Sequence, residues 1–522
     1  MKKVLLLICS VGFIFSCGSQ KTDNANQTSG NEVQTPVDIT KYGETITSAD
    51  LKEDLYIFAS DEFEGRGTGE AGEVKAINFL KDHYVALDVP AAKSNNDYFQ
   101  DVPLVKSAAP EISLVVNKKS FTMVDDFVSV TSVPNGTLNT SEIVYAGYGI
   151  HDEAYSSYKD LDVKGKVVLI RSGEPKDANG NYLITGTSEA SKWSNFRQAF
   201  REKRDAAQEQ GATAVFFYYP EIYSMAAARF GGSSGAISLR ETNEDMYYFL
   251  INTDLAKTML ANIENSVDNQ TISMPINLTY KNNSTEIIGK NVAALIKGSE
   301  KPEEIIVISA HLDHEGVKNG EVYNGADDDG SGSVALIQIA KAFKKAQKDG
   351  NGPKRSILFL HVTGEEKGLL GSRYYTDFDP IFPLENTVAN LNIDMIGRVD
   401  KQHEDKNNNY LYLIGADKLS TELHEISEEA NKKYMNIELD YTYNDDNDPN
   451  RFYFRSDHYN FAKNNIPVIF YFNGTHDDYH RPSDTPDKIR YDLLENRTRL
   501  VFYTAWELAN RDQRIVVDKA TE

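Results

Sequence analysis

Residues 324–333 read NGADDDGSGS, three consecutive aspartates set between glycines ahead of an apolar run. Like charges side by side in a turn repel one another unless a cation sits among them. Four apolar runs, one just upstream and three downstream, end in complementary residue types. EIIVISAHLDH carries His311, Asp313 and His314; RSILFLHVTGEE ends in Glu365 and Glu366; VANLNIDMIG reaches Asp394; PVIFYFNGTHDDYHRPSDTPDKI holds His476 and His480. Carboxylates and imidazoles without thiols suit zinc or a similar divalent ion. Two such ions about 3.5–4 Å apart can share one carboxylate. Five ligands then suffice: a His and a terminal carboxylate for each ion, with an Asp bridging. Near a strand end the adjacent Glu365 and Glu366 point different ways. One can bind metal while the other serves as general base toward a water whose pKa the metal lowers to roughly 7.

Such residues need elements that bring them to one edge. From Lys290 onward, short apolar strands alternate with amphipathic helices, the pattern of a largely buried sheet with helices on both faces. Ligands in such sheets gather at the carboxyl ends of strands. Upstream, ITSADLKEDLYIFAS reads as a helix with Ser48 as its cap and Leu51, Leu55 and Phe58 on one face. Residues 128–285 have a different, β-rich texture, with EIVYAGYGI, GKVVLIRSG and AVFFYY as strands. The expected organisation is a first segment of the main domain over 38–127, a β-rich insertion over 128–285, and the rest of the main domain, with the metal site, over 286–522.

The chain has 522 residues and a net charge of -23. With no basic surplus to neutralise phosphates, nucleic acid is excluded as a partner. Lys2 and Lys3 precede an apolar run that is too short to span a bilayer and ends at Ser16-Cys17, the shape of a lipoprotein signal over residues 1–17. Cleavage there leaves Cys17 as a lipid acceptor, followed by a disordered polar tether over 18–37. The expected location is the bacterial cell envelope, with the membrane touched only through that lipid. The two cysteines, Cys9 and Cys17, are then both spoken for, and the fold has neither disulfide nor thiol chemistry.

The pieces SAHLDH, NGADDDGSG, TGEEKGLLGS, NIDMIGR, RSDHYNF and YHRPSDTPDKI, in this order, resemble the co-catalytic zinc peptidases, the family of secreted bacterial aminopeptidases and glutamate carboxypeptidases. SDEFEGRGTGEAGEVKAINFL is similar to that family's opening segment, and the β-rich insertion resembles a protease-associated domain. The resemblance implies a three-layer α/β/α sandwich around a mixed, mostly parallel sheet, and two Zn2+ ions. It makes His311 and Asp394 ligands of one ion, Glu366 and His480 ligands of the other, and Asp328 the bridge. Glu365 becomes the general base and Tyr453 a donor to the oxyanion. Asp313, Asp329 and Asp457 become supporting residues, Asp313 by orienting the His311 ring and Asp329 by following the bridge at a strained peptide bond.

The implied reaction is hydrolysis of peptides from one end, with an aminopeptidase as the leading reading. A carboxypeptidase or dipeptidase of the glutamate carboxypeptidase type stays open, because Arg398, Arg455 and Arg481 flank the motifs. A glutaminyl cyclase and a non-catalytic binding protein on the same fold are the remaining alternatives; the full ligand set speaks against both. His361 reads as a core histidine, His314, His458 and His476 as residues lining the site, and YNDDNDPN as a solvated acidic turn. Side-chain preference and oligomeric state have no signal in the sequence.

Overall fold

The computed structural model describes residues 37–195, 198–232, 235–240 and 246–519. The expected signal and lipid-acceptor segment (1–17), and the tether up to residue 36, lie outside the described residues. Both sheets described below belong to one unit that begins at Ile39.

Among the described residues, nine strands form the main sheet: β1 (Phe99–Lys106), β2 (Ile237–Leu239), β3 (Thr285–Ile296), β4 (Lys301–His311), β5 (Arg355–Val362), β6 (Thr387–Ile393), β7 (Tyr410–Ile414), β8 (Glu438–Asp440) and β9 (Val468–Phe472). Their order is β8-β7-β9-β6-β4-β5-β3-β1-β2. The central four, β9, β6, β4 and β5, run parallel. Antiparallel pairs extend the sheet through β3, β1 and β2 on one side. On the other, β7 runs against β9 and β8 runs with β7.

Side chains of a strand alternate between faces, and both faces here are apolar. In β4, Ile306, Ile308 and Ala310 enter one core, under helices α1 (Ser48–Phe58), α2 (Ala71–Leu87), α3 (Gly332–Lys348), α5 (Thr421–Ala430) and α7 (Tyr491–Asn510). Ile305 and Val307 enter the other, under α4 (Leu370–Asp377) and α6 (His458–Ala462). The result is a sheet between two helix layers. Its parallel strands deliver their carboxyl ends, and the loops that follow, to a single edge. The cap of α1 is Thr47, one residue earlier than expected: its hydroxyl accepts the Asp50 N–H at 3.2 Å, while Ser48 turns its own hydroxyl to Glu495 at 2.6 Å.

The second sheet has eight strands and is also mixed. Its segments 136–145, 167–171, 214–218 and 247–251 run parallel. It too is covered on both faces, by Leu169 and Phe216 on one side and Val168, Ile170 and Phe217 on the other. Backbone pairing draws its borders differently from β-rich texture. Residues 111–116 pair with 276–281, so the second sheet takes in chain upstream of residue 128. Conversely, β2 arises inside 128–285 yet pairs with β1 of the main sheet.

Lys203 is wholly buried against this second sheet, donating from Nζ to the carbonyls of Tyr148 and Gly173. Burial lowers its pKa to about 7, against a smaller opposing pull from Glu174. Between pH 7 and 10.5 the unfolded chain therefore binds a proton that the folded chain does not, and stability rises with pH. The stability of the native protein relative to Lys203→Met should rise by on the order of a few kcal/mol across that range in denaturant titrations. A difference that stays flat with pH would refute the buried neutral amine.

Candidate metal centre

His311 is the last residue of β4. Its Nδ1–H donates to the Asp313 carbonyl at 2.9 Å, which leaves Nε2 with the lone pair. That Nε2 lies 3.1 Å from Asp328 Oδ1 and 3.6 Å from Asp394 Oδ1. On the far side of Asp328, His480 Nε2 lies 3.0 Å from Oδ2 and 3.2 Å from Glu366 Oε2. Asp328 thus offers one oxygen to each imidazole. His311, Asp328, Glu366, Asp394 and His480 converge, each from a different strand end or loop.

Whether the donors fit a metal can be read from their partners. His311 Nε2, Asp328 Oδ2 and Glu366 Oε1 are buried and make no hydrogen bond among the described residues. Buried polar atoms left this way are costly, and a cation resolves several at once. Zinc–nitrogen and zinc–oxygen bonds of about 2.0–2.1 Å place tetrahedral donors about 3.3 Å apart, close to the spacings above. Three groups of His, Asp and Glu here have donor atoms close enough to hold an ion: His311–Asp329–Asp394, His314–Asp328–Glu366 and Glu315–Glu366–His480.

The neighbouring acids are committed elsewhere. Asp329 accepts the His311 N–H with Oδ2 at 3.2 Å and the N–H groups of Gly332 and Met395 with Oδ1 at 2.9 and 3.1 Å. Proximity alone puts Asp329 beside His311 and Asp394, but its oxygens are already bonded, and Asp328 is the acid with oxygens facing both rings. The peptide bond between the two is cis. Asp327 accepts the Gly397 N–H at 2.6 Å and sits 3.2 Å from His476 Nε2. Asp484 accepts the N–H groups of Asp327 and Asp328. Asp313 holds the His311 ring through its carbonyl; its carboxylate accepts the Thr68 hydroxyl at 2.7 Å and the Glu365 N–H at 3.1 Å. Asp457 accepts the Ser372 hydroxyl at 2.5 Å, and burial raises it to about 7.

Glu365 follows Gly364, whose φ of 67° is a turn that a side chain would strain. It lines a cavity with Asp328, Asp394, Met395, Arg455 and Tyr479. Burial pushes Glu365 well up, the His311 ring pulls it down, and the Asp394 and Glu366 carboxylates add to the rise. Burial would raise Asp328 too, but the rings of His311 and His480 hold it well below the usual range.

Tyr453 is not brought to this cavity. It packs against Gly415 under the Lys418 ammonium, 5.1 Å from its ring centre, and lines a separate cavity with Asp446 and Lys463. Tyr479 stands on the site wall instead, next to His480, and burial keeps its hydroxyl protonated. Its adjacency to His480 in DYHRPSDTPDKI was the available signal. His361 is a satisfied core residue, bonded to the Tyr84 hydroxyl at 2.7 Å and the Ser333 hydroxyl at 3.2 Å. His458 stacks on Phe470, with ring centres 4.7 Å apart.

One residue that holds the site together carried no reading in the sequence. Arg66 is fully buried and donates to four backbone carbonyls: Leu312 at 3.0 Å, Phe58 at 3.1 Å, Asn324 at 2.7 Å and Gly325 at 2.8 Å. It joins the end of β4 to the aspartate loop. Burial lowers its pKa to about 10, and Asp328, Asp484, Asp313 and Asp329 oppose that. Arg66→Met should cost about 3–5 kcal/mol in a denaturant midpoint, with Arg66→Lys little better because an ammonium cannot reproduce the planar fork. A loss under about 1 kcal/mol would remove Arg66 from this role.

Residues 291–505 match the model of Peptidase family M28. A probable leucine aminopeptidase of Trichophyton verrucosum is 31% identical over 228 residues, which is 42% of this chain and 57% of that protein. A probable glutamate carboxypeptidase of Arthroderma benhamiae is 36% identical over 105 residues, 20% of this chain and 14% of that protein. The matches span little more than half of these curated relatives, or less. A zinc aminopeptidase from Bacillus subtilis superposes with a TM-score of 0.46 at 18% identity, covering 91% of this chain and 99% of that one. The similarity to Peptidase family M28 thus covers the stretch of chain, residues 291–505, that carries the clustered donors.

Proposed function

We propose that the chain is a zinc-dependent exopeptidase, an aminopeptidase, that hydrolyses peptide bonds next to a free N-terminus. His311 and Asp394 would hold one ion and Glu366 and His480 the other, with Asp328 offering an oxygen to each side. The observation that carries this reading is the placement of the two oxygens of Asp328 against two imidazoles from opposite sides, among buried donor atoms without other partners. When bound, a zinc pair supplies Lewis acidity and lowers the pKa of a nearby water to about 7. Glu365 takes the proton that the attacking water gives up and returns it to the leaving nitrogen. The Asp313 carboxylate fixes the Glu365 backbone through its N–H, and the Asp313 carbonyl fixes the His311 tautomer. In this reading Tyr479, which lines the cavity, takes the role of donor to the oxyanion in place of Tyr453, which does not line it.

Met395, Phe452, Phe470, Phe472 and Tyr479 give the cavity an apolar wall, which favours apolar side chains at the cleaved residue. Arg455 supports the carboxypeptidase reading: it lines the same cavity, exposed and stacked on Phe452, and makes no ion pair among the described residues. Arg398 does not support it, since Asp478 at 2.9 Å and Asp484 at 3.7 Å already engage its guanidinium.

Glu365→Gln should retain zinc while kcat falls about 10²–10⁴-fold on leucyl and phenylalanyl substrates with free amines. N-blocked peptides should resist cleavage by the native protein. Full turnover in Glu365→Gln sinks the assigned base. Preference for N-blocked peptides with free carboxylates, lost in Arg455→Ala, would replace the aminopeptidase reading with the carboxypeptidase one.

We further infer that the second sheet is a protease-associated module and that Cys17 carries a lipid that anchors the enzyme in the bacterial cell envelope. The insertion of that sheet between β1 and β3 supports the first, and the run ending at Ser16-Cys17 the second. Metabolic labelling with a fatty acid should mark the protein and fail in Cys17→Ala; equal labelling of the two would refute the anchor.

A further inference from the structure

The two sides of Asp328 are not equivalent. On the His311 side, three protein groups face one another: His311, Asp328 and Asp394. On the His480 side there is a fourth. His314 follows β4, is wholly buried, and places Nδ1 2.7 Å from Glu366 Oε1 and 3.8 Å from Asp328 Oδ2. Despite these short distances, neither His314 Nδ1 nor Glu366 Oε1 makes a hydrogen bond among the described residues. The ring and the carboxylate are neighbours without being a donor–acceptor pair, as expected of two lone pairs directed at a shared third atom.

His314 Nδ1, Glu366, Asp328 Oδ2 and His480 Nε2 give separations of 2.7, 3.8, 3.0 and 3.2 Å. These bracket the roughly 3.3 Å expected between ligands of tetrahedral zinc. Gly325 makes the position possible: a Cβ there would lie 2.5 Å from His314 Cγ. Glu315, the other nearby donor, is taken up by Lys318 at 2.5 Å and Lys367 at 3.1 Å.

We propose that His314 is a metal ligand on the Glu366/His480 side, so that the ion pair is unequal. This inference rests on the two-zinc reading above. One ion then has four protein ligands, the closed shell of a tightly held site. The other, with His311 and Asp394, keeps open positions for substrate. Glu365 stands on the open side, sharing a cavity with Asp394.

X-ray absorption on the full-length native protein loaded with one equivalent of zinc should count two imidazoles on the ion, falling to one in His314→Gln. Calorimetric zinc titration should resolve a tight and a weaker site. His314→Gln should weaken the tight one beyond the 10–100-fold typical of residues that only orient a ligand, and leave the weaker unchanged. The absorption count on native protein stands even if the variant folds poorly. A native protein that binds two zinc ions and cleaves peptides, yet shows one imidazole at one equivalent, overturns the role of His314 and leaves the peptidase reading intact. A native protein that binds no zinc overturns both.

Discussion

Negative charge concentrated out of water at one edge of a sheet is the constraint to which the rest of the structure answers. Asp313, Asp327, Asp328, Asp329, Asp394, Asp457 and Asp484 are all buried there, with Glu365 and Glu366 beside them. Carboxylates so placed either take up protons, bond to amides, or meet a cation. All three outcomes are present. Burial raises Asp457 and Asp484. Backbone N–H groups satisfy Asp327 and Asp329, and Arg66 supplies a fixed positive charge from behind. What remains is a small set of oxygens and ring nitrogens with nothing to bond to, and these define where a metal belongs.

That sorting separates acids that sequence treats alike. Three adjacent aspartates have three fates: Asp327 pins the chain after β6, Asp328 faces two imidazoles, and Asp329 ties the end of β4 to the start of α3. Amides that hold the supporting acids solvate their oxygens without neutralising them, and they make the ligand positions rigid. Arg66 extends this support to a part of the chain remote in sequence. The first segment therefore contributes to the site without supplying a ligand.

The second sheet leaves the site's architecture untouched. The chain departs after β1, touches the main sheet at β2 and returns as β3, all on the antiparallel side, while the four parallel strands all lie downstream of the insertion, within residues 301–472. An insertion at an edge can carry its own two cores, and even a buried lysine, without disturbing the strand ends that bear the ligands.

Sequence by itself determined the elements and the ligand types. Apolar runs ending in His, Glu and Asp had to be strands bringing donors to one edge, because parallel strands share a carboxyl end. The absence of cysteine from the described fold restricted those donors to imidazole and carboxylate. Tertiary structure alone decided the rest. The family resemblance implies Tyr453 as the oxyanion donor, but the fold turns it into a different cavity while Tyr479 takes the wall. The borders of the second sheet follow from pairing across more than a hundred residues, which local β-propensity does not encode. His314 and Arg66 have no local signature, since a histidine or arginine acquires its role from unsatisfied atoms that distant segments bring to it. Periodicity is a property of neighbours in the chain; hydrogen-bond completion is a property of neighbours in space.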